Sequence, residues 1–252
     1  MGFFLSFIPK KVKNKTVVNV LDRMRHIGCR MHIAWKYAAS RAESRNARIR
    51  EMIREAENAR NDGSSSVARI SKSLREGYIE DQHNLGSIHY GRSDMAYAGC
   101  EVIAVYNALI AMGEKPVLGE LIEYFERDGM VLSGRFGTAP RAIADYFTKE
   151  GFAVEETLDP ESFDEIADRS DVAIVMFYND QRSILSKVHT ICITRETQDP
   201  ASETAHAAYI AHNVYGNGFT VGPFESVSEL MGRINGGYSK GIVLFGISKP
   251  HN

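Results

Sequence analysis

A chain of 252 residues is long enough for one large domain or a medium domain with an appendage, and 44% hydrophobic with 25% charged content is ordinary for a soluble globular protein. The formal net charge of −2 hides an asymmetry: residues 1–62 carry 14 Lys/Arg and 6 Asp/Glu, net +8, and the rest carries 16 and 26, net −10. The three cysteines, Cys29, Cys100 and Cys192, are too sparse for a disulfide framework and fit a reducing compartment, and no stretch approaches the ~20 apolar residues that span a bilayer.

The N-terminal Gly2-Phe3-Phe4-Leu5-Ser6-Phe7-Ile8 is apolar but has no positive residue before it and no small-residue cleavage site, so it fails as a Sec signal. It leaves three readings open: a packed terminus, a myristoylation pattern in Met1-Gly2 with Ser6, or an apolar run that Lys10, Lys11, Lys13 and Lys15 hold on an anionic surface. From Val17 to Arg60 a three-four spacing of Val17, Leu21, Met24, Gly28, Met31, Trp35, Ala38, Ala42, Arg45, Ile49, Met52, Ala56 and Ala59, unbroken by proline, predicts helix. A basic arm on an acidic body calls for an anionic partner: a membrane surface, nucleic acid or the body itself. Self-association through the helix is the other option. Asp62-Gly63 and three serines mark the best boundary, giving a basic helical extension over 1–63 and a linker with a short helix over 64–84. The main domain follows over 85–252.

Residues 78–99 read as loop. Then Cys100 to Met112 predicts a helix that is apolar nearly all round, through Val102, Ile103, Val105, Tyr106, Leu109 and Ile110, with Gly113 as its left-handed cap. Leu118–Arg127 is a second helix, and Thr138 is a candidate N-cap for a third that runs to Glu150. Strands are expected at 152–154, 172–178, 188–194, 208–215, 219–221 and 241–247, with small helices at 159–168 and 227–234 and polar loops at 179–187 and 195–207. Helices first and an antiparallel sheet after them make an α+β domain.

A cysteine at a helix N-terminus feels the positive end of the dipole, which favours the thiolate, and its amide can supply half of an oxyanion hole. A free cysteine is more often a small buried hydrophobe, so the catalytic reading needs a histidine and an orienting polar group downstream. His189 opens a strand, and Asn213 ends the next one. The roles would be Cys100 as nucleophile, His189 as base and then acid, and Asn213 as the group that fixes the imidazole. His212 has the opposite strand phase to Asn213 and weighs less. His83, His89 and His206 read as loop histidines, and no Cys/His spacing supports a metal.

The run Gly99-Cys100-Glu101-Val102 leading into an apolar helix resembles papain-like cysteine peptidases of the double-glycine leader peptidase type. The order Cys, His at the start of a strand, and Asn or Asp at the end of the next is similar to that superfamily's, and Gly137-Thr138-Ala139-Pro140-Arg141 resembles the branch's third helix. The resemblance covers roughly residues 85–250 and implies a papain-like fold, a thioester acyl-enzyme, no cofactor and a peptide or protein substrate. Two positions depart from it. The superfamily's oxyanion-hole glutamine, about six residues before the cysteine, falls on Asp94, which leaves Gln82, Asn84 or the Cys100 amide to serve. The third member is Asn213 where the branch more often has Asp. The sequence therefore supports a thiol hydrolase, with a weakened papain-like binding module or an amidase or acyltransferase using the same triad as alternatives. The expected location is cytoplasmic, with peripheral membrane contact through the arm, and nucleic acid is not favoured.

Overall fold

The computed structural model describes residues 27–28, 30–38, 70, 74–179, 188–197, 207–214, 220–234 and 241–250. The N-terminal apolar run, Cys29, most of the expected long helix, the Gly216–Gly218 turn and most of the two polar loops lie outside the described residues. Residues 30–38 are helical and form α1.

The core element is a six-stranded antiparallel sheet in the order β5-β10-β6-β7-β8-β9. The strands are β5 (Ala153–Thr157), β6 (Val172–Tyr178), β7 (Val188–Thr197), β8 (Ala207–His212), β9 (Thr220–Phe224) and β10 (Gly241–Ser248). Every residue of β6 is buried. Its uninterrupted Val-Ala-Ile-Val-Met-Phe-Tyr is what a strand covered on both faces requires. Ile174, Met176 and Cys192 point to one core, which they share with Val102, Ile103, Val105 and Leu109 of α3 (Cys100–Ala111). Ala173, Val175, Phe177 and Ile191 point to the other, covered by α6 (Phe163–Arg169) and α7 (Val227–Arg233). The first core is completed by α4 (Leu118–Asp128) and α5 (Arg141–Lys149) through Leu121, Phe125, Ile143 and Phe147. The protein is thus mixed α and β on an antiparallel sheet.

The segment expected as loop is structured. It forms two short hairpins, β1 (Leu74–Arg75) with β2 (Tyr78–Ile79) and β3 (His89–Tyr90) with β4 (Ser93–Asp94), then the single turn α2 (Met95–Ala98). Long-range bonds order it. The buried Asn107 amide of α3 accepts from the Ile79 N–H at 2.8 Å and donates to its carbonyl at 2.9 Å, standing in for a partner strand. Gly91 turns the second hairpin at φ 58°, and a Cβ there would lie 2.3 Å from Met130 Sδ.

Element boundaries also differ, β5 running on past Val154 and β9 past Val221. Thr138 does not cap α5: it bridges to Met130, and its hydroxyl sits 2.5 Å from the Tyr90 hydroxyl, so Pro140 takes the cap position. β7 runs on to Thr197 because Arg195, Glu196 and Thr197 pair with Tyr209, Ala208 and Ala207. β8 stops at His212, since Asn213 turns to φ 63°. At the C-terminus of α3, Gly113 has φ 77° and the Glu114 N–H donates to the Leu109 carbonyl, a left-handed cap.

Candidate active site

Cys100 is the first residue of α3, and Gly99 joins α2 to α3 where a Cβ would come 2.6 Å from Met95. The cysteine is buried, and its thiol donates to Glu101 Oε2 at 3.1 Å. Burial first, and then the Glu101 carboxylate, push the thiol well above its ordinary range; Lys36 and the Thr190 main-chain N–H at the sulfur act in the opposite direction. The Thr190 hydroxyl is buried with no hydrogen-bond partner among the described residues, an unsatisfied polar atom beside the nucleophile candidate.

One residue before Thr190 is His189, opposite Phe177 in the sheet, with the two rings edge-on at 5.6 Å between centroids. It continues the phase of Ile191, whose side of the sheet packs on α6 and α7, whereas Cys192 faces the core shared with α3. Nε2 of His189 lies 2.6 Å from the Asn213 carbonyl oxygen. A carbonyl only accepts, so Nε2 carries the proton and, in the neutral ring, Nδ1 keeps the lone pair. Burial lowers the imidazole to about 4, with the Asn213 carbonyl opposing and His83 adding to the shift. The ring is therefore neutral near pH 7 and holds the lone pair a base needs.

Sequence reasoning gave the orienting role to the Asn213 side chain; here the main-chain carbonyl touches the imidazole. The side-chain amide instead closes a ring with Gln82: Oδ1 accepts from the Gln82 N–H at 3.1 Å, and Nδ2 donates to Gln82 Oε1 at 2.9 Å. The Asn213 N–H donates to Glu80 Oε2 at 2.9 Å. The other oxygen of Glu80 is 2.6 Å from Nδ1 of His212, whose Nε2 is 2.9 Å from Thr194 Oγ1 and whose ring stacks on Tyr78 at 4.1 Å. His212 thus belongs to a buried network behind Asn213, and Glu80 and Gln82 hold the left-handed residue whose carbonyl meets His189.

The oxyanion candidates fall in different places. Gln82 is buried and in contact with Asn213, and its Nε2 donates to the Ala96 carbonyl in α2 at 2.8 Å. Asn84 donates to Asp81 Oδ2 at 2.6 Å. Asp94 caps α2, its Oδ1 accepting the Tyr97 N–H at 2.9 Å. The Cys100 amide opens α3. Sequence reasoning missed Glu80, Thr190 and Lys36. Glu101 stood inside the quoted run, and a charge at the start of an otherwise apolar helix was the available signal. A pocket of about 320 Å³ lies behind the His212 network, lined by Glu76, Tyr78, Glu80, Thr194, Glu196 and His212; neither Cys100 nor His189 lines it. Among the described residues no group of three His, Cys, Asp or Glu side chains is placed to hold a metal ion, and no helix is long and apolar enough to cross a membrane.

No family model matches the chain, and no curated protein matches it. Among solved structures, the peptidase domain of Streptococcus ComA, a bi-functional ABC transporter involved in a quorum-sensing pathway, is similar with 11% identity and a TM-score of 0.36. The likeness covers 64% of this chain and 100% of that one, and is too slight to carry an argument about this protein.

Proposed function

We propose that the chain is a papain-like thiol hydrolase that cuts peptide or isopeptide bonds. The observation that carries this reading is the 2.6 Å contact of His189 Nε2 with the Asn213 carbonyl, one residue before the main-chain N–H that reaches the Cys100 sulfur. That contact leaves Nδ1 as the basic nitrogen. In the reaction His189 Nδ1 takes the thiol proton, the Cys100 sulfur bonds to the substrate carbonyl carbon, and the tetrahedral intermediate collapses as the same proton passes to the leaving amine. Water, deprotonated by His189, then breaks the thioester and returns the thiol. The Cys100 amide at the start of α3 is one oxyanion donor. Gln82 is the side chain proposed to support the site through Asn213.

A weakened binding module is the second reading, and one observation favours it: the resting thiol is bonded to a carboxylate and held protonated. Trapping with peptide thioesters separates the two. The hydrolase reading expects a covalent peptidyl adduct on Cys100, seen by mass spectrometry, that forms and decays in wild type and fails to form in Cys100→Ser and His189→Ala. Peptide binding without an adduct on Cys100 would leave the binding module.

A further inference from the structure

Three buried side chains lead from α1 into the site. Lys36 Nζ lies 3.6 Å from Glu101 Oε1, and Glu101 Oε2 accepts the Cys100 thiol. Lys36 and Glu101 are 4% and 2% exposed, a depth at which a charge persists only when it is paired. α1 is held there by Ile33 in the core, by the Tyr37 hydroxyl on Asp145 Oδ2 at 3.1 Å, and by Trp35 edge-on to Phe136. Gly137, at φ 67°, closes the other side: a Cβ there would come 3.3 Å from Glu101 Oε2.

A carboxylate next to a nucleophilic sulfur poses an electrostatic problem. It gives the thiol an acceptor and so fixes its direction, but its negative charge opposes a second negative charge on the sulfur. Lys36 supplies the compensating charge from a segment 64 residues away in sequence. We infer that Lys36 is a positioning residue of this site: it holds Glu101 and cancels its charge, so that the carboxylate orients Cys100 without forbidding the thiolate. α1 is then a working part of the site. The titratable groups facing the sulfur are Glu101 from its own helix, Lys36 from α1 and the Tyr90 phenol from β3, joined in the thiol-hydrolase reading by the neutral His189 imidazole from β7. Of these, Lys36 is the cation.

The inference rests on the thiol-hydrolase reading, and one experiment separates their failures. The alkylation rate of Cys100 by iodoacetamide is followed by mass spectrometry from pH 5 to 10 in the full chain. Wild type is compared with Lys36→Met, Lys36→Arg, Glu101→Gln, Lys36→Met/Glu101→Gln and His189→Ala. Lys36→Met should alkylate about tenfold more slowly at pH 7, its profile moved up by about one pH unit, and Lys36→Arg should restore most of the rate. The double variant, with no buried charge left, should return to within about twofold of Glu101→Gln alone. It also serves where Lys36→Met fails to fold. A Lys36→Met profile equal to wild type, or a double variant about tenfold slower than Glu101→Gln, overturns the inference. A shift with Lys36→Met and none with His189→Ala overturns the hydrolase reading and leaves the Lys36 role standing. A Cys100 inert at every pH overturns both.

Discussion

Acidification should destabilise this protein through His189 by a calculable amount. The imidazole is fully buried and lowered to about 4 from an ordinary 6.5, a difference of about 2.5 units, or about 3 kcal/mol at 1.36 kcal/mol per unit. Its folded value lies below its unfolded value, so the unfolded chain binds the extra proton first. The stability is complete above about pH 6.5 and is lost as pH falls towards 4. Carboxylates also titrate in this window, so the measurement is a difference. His189→Gln keeps an N–H for the Asn213 carbonyl and removes the titration. Denaturant unfolding of both proteins at pH 7 and pH 4 should show the wild-type advantage shrinking by about 3 kcal/mol. A pH-independent difference would refute the buried neutral imidazole. A wild-type advantage that grows on acidification would mean that the ring rests as an imidazolium, the reverse of the protonation state derived above.

Other parts of the structure make sharper or simpler demands. Glu80→Ala leaves the His212 ring N–H and the Asn213 main-chain N–H buried without their acceptor, and should cost about 3 kcal/mol in denaturant unfolding; a loss under about 1 kcal/mol would show that the network carries little. Asn213→Gly keeps the carbonyl and suits the left-handed backbone, so Cys100 reactivity should stay within about tenfold of wild type; a fall as deep as that of His189→Ala would return the orienting role to the Asn213 side chain. Gly246→Ala would place a methyl 2.2 Å from Ser170 Oγ and 2.6 Å from Ile166 Cγ2, beneath α6, and should cost about 1–3 kcal/mol of stability; an unchanged unfolding midpoint would show that α6 yields freely.

What could be read in the sequence is what burial writes there. The seven residues of β6 and the body of α3 from Val102 to Leu109 are largely apolar because both sides of each are covered, and both stand out in the sequence. Thr138 before Ala139-Pro140 looks like a cap in one dimension; the Tyr90 hydroxyl and the Met130 bridge claim it in three. The order in residues 78–99 comes from Asn107 and from the close approach of Gly91 to Met130, neither of which leaves a local periodicity. At Asn213 the sequence names a residue but not the atom that acts. Whether the carbonyl or the side chain meets His189 depends on the left-handed turn, and that turn is held by Glu80 and Gln82, more than 130 positions away. The Lys36–Glu101 pair leaves no motif, since two isolated charges in different segments match only once the chain has folded.

The central claim, that Cys100 and His189 work as a pair at this end of the sheet, is tested most directly by site-resolved thiol alkylation. Cys100 should react with iodoacetamide near neutral pH, at least about tenfold faster than in His189→Ala, because the imidazole Nδ1 accepts the thiol proton. Equal rates in the two proteins, or labelling confined to Cys29, would contradict the account and leave Cys100 as a buried core residue.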